Sequence, residues 1–352
     1  PYVPVDCPGC RARFRTLPGQ INPAVYCPFC GEPIIKARHY LFLGQEPAGR
    51  LRAAESSPVY SLSHVPDRFA HFRLHNLLGH GGAGKVYEAY NLRSERKVAL
   101  KLLNFQPLED MAGSFSRLQQ EARVACSVAH ENIIRIYDLG VAEGVPFIEM
   151  ELVRGTSLRE RVRRDAPLPP PEACRICLQA LAGLHEVHQH RIVHGDVKPG
   201  NILIDQQGLV RLSDFGISRF LEETTTVSAG GRLIGSPYFM APEQWRGETL
   251  SPATDVYAMG LVLYYALTGR LPYEGETKLT LMYKHLYEPL LEPAAPRLLA
   301  PDYLGEVIRR ATEKQPKERF QSAAEFAESL RIYLEGGRGG RQKDEGKSRV
   351  PS

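Results

Sequence analysis

The 352-residue sequence predicts a two-lobed α+β protein with a small cysteine-bearing module at its N-terminal end. Three observations point there. Four of the seven cysteines fall within the first thirty positions, as two Cys-x-x-Cys pairs. Phe72-Arg73-Leu74-His75-Asn76-Leu77, Val86-Tyr87-Glu88-Ala89-Tyr90 and Lys97-Val98-Ala99-Leu100-Lys101-Leu102 alternate with the period of strands. From Pro171 onward, Cys174, Cys177, Leu178, Leu181, Leu184 and His188 recur at the three-to-four spacing of a helix. Strands followed by helices make an α+β chain, with one intervening helix expected over Ser114–Val128.

The head, residues 1–40, reads Cys7-Pro-Gly-Cys10, sixteen residues, then Cys27-Pro-Phe-Cys30-Gly31. Four thiolates at this separation can close a tetrahedron around Zn²⁺, because each turn aims two sulfurs at one point. The pattern resembles a zinc ribbon, although the first knuckle lacks the usual closing glycine. Two disulfides or four free thiols are the alternative. The third pair, Cys174-Arg-Ile-Cys177, sits in the amphipathic run and reads as core. Arg11, Arg13 and Arg15 alternate with Phe14, so the module is expected to dock an unidentified partner, with nucleic acid as the rival. Gly44, Pro47, Gly49, Ser56, Ser57 and Pro58 mark a linker over 41–67.

The net charge is +4, but the head carries +3, the tail 336–352 another +3, and the body is slightly acidic. That distribution excludes a nucleic-acid face spread over the whole protein. With 43% hydrophobic and 24% charged residues, a fibrous or wholly disordered chain is excluded as well. The longest apolar stretch, Val256–Leu267, is too short to span a membrane, and no apolar leader opens the chain. A cytoplasmic protein is expected, with a membrane tether beyond Ser352 left open. The Gly-Gly-Arg-Gly-Gly-Arg run after Glu335 offers no apolar anchor, so residues 336–352 are expected to be disordered.

Within the body, Gly79-His-Gly81-Gly-Ala-Gly84-Lys85-Val86 lies between two strand patterns. Glycines let the backbone approach phosphate oxygens and present N–H donors to them. A P-loop would need a hydroxyl where Val86 stands and a helix where a strand follows. Gly79, Gly81, Gly84 and Val86 instead fit the glycine-rich lid of protein kinases. The resemblance then extends through the chain. Val98-Ala-Leu-Lys101 resembles the lysine strand of that family, and Glu121, twenty residues on, resembles its helix glutamate. His194-Gly-Asp196-Val-Lys198-Pro-Gly-Asn201 resembles the catalytic loop, followed in order by Asp214-Phe-Gly and Ala241-Pro-Glu243. The similarity covers 68–335, with an N-lobe over about 68–150 and a C-lobe over about 154–335.

The resemblance implies a bilobal protein-kinase fold, one regulatory helix in the β-rich lobe, and phosphoryl transfer from ATP. Asp196 is implied as the acceptor of the substrate proton, Lys198 as a charge partner of the transferring group, and Lys101, held by Glu121, as the grip on the α- and β-phosphates. Asn201 and Asp214 are implied as ligands of Mg²⁺ or Mn²⁺. Glu151-Leu152-Val153 is implied as the adenine-binding hinge, Asp255 as the support of the catalytic loop, and Arg319 as the partner of Glu243. Lys198 and the Gly235-Ser236 to Glu243 segment are similar to the serine/threonine branch, and details such as Pro242-Glu243-Gln244 look like bacterial members. Protein substrates and dimerisation for autophosphorylation are the partners this implies. A pseudokinase scaffold and a ribbon-driven regulator are the rival readings.

One position departs from the family pattern. Gly195 stands where an arginine usually precedes the catalytic aspartate, so the guanidinium that captures an activation-loop phosphate is missing. Thr224, Thr225, Thr226, Ser228 and Ser236 are the candidate phosphosites, and their modification is expected to switch activity weakly.

Overall fold

The computed structural model describes residues 3–6, 13–16, 67–81, 84–103, 128–214, 237–275, 277–290 and 301–339. The chain divides into two compact units: residues 1–104 with Ala142–Val145, and Phe105–Val141 with Pro146–Ser352. The expected helix over 114–128 lies outside the described residues except for Val128, and the linker lies outside them up to residue 66.

At the head, β1 (Val3–Asp6) and β2 (Arg13–Thr16) pair antiparallel, with Asp6 opposite Arg13. In the rest of the first unit, β3 (Arg68–Phe69), β4 (Phe72–Gly81), β5 (Gly84–Asn91) and β6 (Arg96–Leu103) form an antiparallel meander. The alternation read from the sequence becomes a buried face of Phe72, Leu74, Tyr87, Ala89, Val98 and Leu100. Asp67, expected to end the linker, already belongs to this fold, since its carbonyl accepts the Leu74 N–H at 3.1 Å.

β7 (Ile136–Ala142) and β8 (Val145–Met150) form a hairpin, of which Ala142–Val145 belong to the first unit and the remainder to the second. Glu143 and Gly144 turn it at φ values of 53° and 76°, the positive pair a twisted two-residue turn requires. Strand β9 (Gly155–Ser157) leads into helix α1 (Leu158–Asp165), which a reciprocal Ser157–Glu160 capping box starts. Helix α2 (Pro170–Gln189) follows the proline-rich loop and buries Cys174, Cys177, Leu181 and Leu184. Burial pushes the Cys174 thiol up to about 12, the environment of a core hydrophobe.

Strands β10 (Ile202–Asp205) and β11 (Val210–Leu212) join β9 in a three-stranded sheet. Beyond the described residues that end at 214 come α3 (Pro242–Arg246), α4 (Pro252–Thr268), α5 (Lys278–Tyr287), α6 (Pro301–Ala311) and α7 (Ala323–Gly339). The apolar stretch from Val256 is α4, with every residue from Ala253 to Leu267 buried, as a helix that is hydrophobic all round must be. Pro252 opens it and Gly269, at φ 68°, closes it. Helix α7 corrects one boundary. It continues through Gly336 to Gly339, four residues into the segment expected to lack structure. Each added residue gains one hydrogen bond on a helix already anchored by buried Phe326 and Leu330, and that offsets the glycine cost over a single turn. Among the described residues, no helix is long and apolar enough to cross a membrane.

Candidate active site

In the first unit, the sheet register assembles the lid. Gly79 lies opposite Val86, Gly81 opposite Gly84, and Val86 opposite Lys101 on the next strand. Lys101 is 5% exposed, so its stem lies in the unit's core. Gly84 has φ 145°, and a Cβ there would meet the Leu102 carbonyl oxygen at 2.1 Å. Only glycine fits where β5 presses against β6.

In the second unit, the loop between α2 and β10 gathers the charged residues. Lys198 Nζ donates to Asp196 Oδ2 at 2.6 Å, and Asn201 Nδ2 donates to the same oxygen at 3.1 Å and to the Asp196 carbonyl at 2.9 Å. A carboxylate gripped on one oxygen by an ammonium and an amide is fixed in direction, so its other oxygen is aimed. Asn201 is buried, while about a fifth of the Asp196 side chain is open, at 21%.

Asp255, in the first turn of α4, fixes the loop backbone from below. Its Oδ2 accepts the His194 N–H and its Oδ1 the Gly195 N–H, both at 2.8 Å. His188, near the end of α2, places Nε2 2.8 Å from Asp255 Oδ2. His194 then ties the loop to β11. Its Nδ1 accepts the Asp196 N–H at 3.3 Å, so the ring proton sits on Nε2 and donates to the Ser213 carbonyl at 3.1 Å. The Ser213 N–H donates to the Asn201 carbonyl at 2.9 Å. These bonds fix Ser213, and the next residue, Asp214, stands at φ 62°, a left-handed conformation costly for a residue with a side chain. Backbone outliers of this kind cluster at functional positions, and Asp214 follows directly on the residue tied to Asn201.

Asn201 and Asp214 offer an amide oxygen and a carboxylate, the hard donors that suit Mg²⁺ when phosphate oxygens and water complete its shell. Among the described residues there is no group of three or more His, Cys, Asp or Glu that could hold a metal ion without such help. At the hinge, the Glu151 N–H is committed to the Arg135 carbonyl at 2.8 Å. Arg211 Nε holds the Glu151 side chain at 3.2 Å.

Farther along, Arg319 grips Glu243 with two bonds of 2.8 Å, and Thr254 Oγ1 donates to Glu243 Oε1 at 2.8 Å. Burial alone would raise the Glu243 pKa, but the Arg319 bonds and charge outweigh it and hold the carboxyl below its ordinary value. Both side chains are almost wholly buried, at 0% and 2% exposure.

The structure thus brings Asp196, Lys198 and Asn201 together, supports them from Asp255, and joins Glu243 to Arg319 as the sequence implied. Glu121, Thr224, Thr225, Thr226, Ser228, Ser236 and the cysteines Cys7, Cys10, Cys27 and Cys30 lie outside the described residues. Sequence reasoning missed the polar partners: His188, which it placed on an apolar helical face, and His194, Ser213 and Gln244, to which it gave no role.

Comparison with known proteins agrees with this geometry. Residues 72–329 match the family described as protein kinase domain. The serine/threonine-protein kinase PknB of Mycobacterium leprae is 36% identical over 275 residues, covering 77% of this chain and 44% of the relative. The serine/threonine-protein kinase PrkC of Bacillus subtilis is 36% identical over 269 residues, covering 76% and 41%. The chain therefore spans less than half the length of these curated relatives. With the family match extending over most of the sequence and the catalytic-loop cluster intact, the chain belongs to the protein kinase domain family.

Proposed function

We propose that the chain is an ATP-dependent protein kinase acting on serine and threonine hydroxyls. The Lys198–Asp196–Asn201 cluster carries this reading. With Oδ2 held by two donors, Asp196 Oδ1 is the oxygen assigned to accept the substrate hydroxyl proton and orient the attacking oxygen. Lys198 balances charge on the transferring phosphoryl group, and Lys101 is assigned the grip on the α- and β-phosphates, with Glu121 as the partner that the family resemblance implies for it. Asn201 and Asp214 would hold Mg²⁺ or Mn²⁺, which supplies charge neutralisation at the β- and γ-phosphates. The choice of serine and threonine over tyrosine rests on Lys198, on the Ser236 segment, and on the likeness to relatives named serine/threonine-protein kinases. Phosphoamino-acid analysis of a protein substrate labelled from γ-labelled ATP tests it. Phosphoserine and phosphothreonine are expected, and label confined to phosphotyrosine would reject the assignment.

The head is assigned as a zinc module that docks a partner of the kinase. The two Cys-x-x-Cys pairs, Cys7 with Cys10 and Cys27 with Cys30, support this, because four thiolates at that separation in the sequence suit a tetrahedral metal. Elemental analysis of the purified full chain should find about one zinc per chain, lost when Cys7 and Cys27 are changed to serine. Zinc content unaltered by those substitutions would refute it.

A further inference from the structure

Gly195 removes the arginine that usually ties the catalytic loop to a phosphorylated activation segment, yet its peptide is held at both ends. Its N–H donates to Asp255 Oδ1 at 2.8 Å, and its carbonyl accepts Gln244 Nε2 at 2.7 Å. The residue sits at φ 73°, and it immediately precedes Asp196. Gln244, on α3, uses its other amide atom as well, since Oε1 accepts the Ala241 N–H at 2.9 Å. One partner is a donor and the other an acceptor, so the amide has one orientation that satisfies both, and a carboxylate cannot replace it. The helix that carries it is itself fixed, because the neighbouring Glu243 is pinned by Arg319 and Thr254.

We propose that Gln244 is a positioning residue: it latches the Gly195 carbonyl to α3 and so holds the Asp196 carboxylate in register without a phosphate. The latch rests on the kinase reading above and adds to it a phosphate-independent route from the end of the activation segment to the catalytic loop. Arg319, Glu243, Gln244 and Gly195 form that route: hydrogen bonds join Arg319 to Glu243 and Gln244 to Gly195, and the backbone of α3 joins Glu243 to Gln244.

Two substitutions separate the latch from a mere helix cap. Gln244→Glu keeps the acceptor for Ala241 N–H and loses only the donor to Gly195, whereas Gln244→Met loses both. If Gln244 acts as a latch, both variants of the full chain lose about tenfold in kcat for phosphorylation of a protein substrate, with KM for ATP within about twofold of wild type. Amide exchange over residues 194–197 rises in both, while exchange in α4 stays put. If Gln244 only caps α3, Gln244→Glu keeps wild-type kcat and wild-type exchange, and that result overturns the proposal. Failure of the kinase reading looks different, since wild-type protein would then transfer no phosphate at all, and the latch would fall with it. Should either variant lose stability, the exchange pattern decides, because a latch loosens 194–197 ahead of the rest of the unit and a folding defect loosens α4 with it.

Discussion

At the scale of single residues, charge pairs out of water dominate. Arg319 and Glu243 are both buried, and Arg319 further donates from Nε to the Glu313 carbonyl at 2.7 Å and from Nη1 to the Ala253 carbonyl at 2.8 Å. Removing the guanidinium would leave a carboxylate in the core with the Thr254 hydroxyl as its side-chain donor, an arrangement that costs about 3–5 kcal/mol. Arg319→Met should therefore lower the unfolding free energy extrapolated from denaturant titration by that amount at neutral pH, and a change below about 1 kcal/mol would contradict the account. Residues of this kind divide in how legible they are from sequence. Asp196, Lys198 and Asn201 lie within six positions of each other, and their spacing shows the cluster. His188 and Asp255 meet across 67 positions, and Gln244 and Gly195 across 49, so nothing local distinguishes His188 from its apolar neighbours.

At the scale of elements, period and caps were readable wherever packing followed one face. The β5 alternation and the α2 stripe are such cases, whereas β6 is buried on both faces from Val98 to Leu103. The end of α7 was not, because glycines signal a stop while the helix already formed behind them carries the last turn onward. The contact of α5 with the protein interior was also hidden. His285 of α5 is fully buried, with Nδ1 3.0 Å from the Tyr257 hydroxyl and the Tyr273 ring 4.7 Å away. Burial, with the nearby Lys314 charge, pulls its pKa down from 6.5 to about 3. The unfolded chain thus binds one more proton than the folded chain between these values. Stability from His285 is complete above about pH 6.5 and is lost as pH falls toward 3, at a slope of at most about 1.4 kcal/mol per pH unit. Denaturant titrations at pH 7 and pH 4.5 should show a smaller loss for His285→Gln than for wild type. Equal losses would contradict the assignment of a neutral buried imidazole.

At the scale of the whole molecule, the charge pattern takes on a structural meaning. A slightly acidic body made of a β unit and a helical unit lies in sequence between two basic ends. The β unit orders a glycine lid opposite Val86 and, one strand on, Lys101; the helical unit orders Asp196, Lys198, Asn201 and Asp214 over the Asp255 support. On the function proposed above, each unit supplies its own share of the residues assigned to phosphoryl transfer. The measurement that bears most directly on this division is steady-state phosphate transfer from ATP to a protein substrate, in Mg²⁺, by wild type and by Asp196→Asn. Wild type should label serine and threonine, and the variant, which keeps the shape but loses the proton acceptor, should fall by about a hundredfold or more at similar stability. Equal rates for the two proteins would contradict the central role given to Asp196.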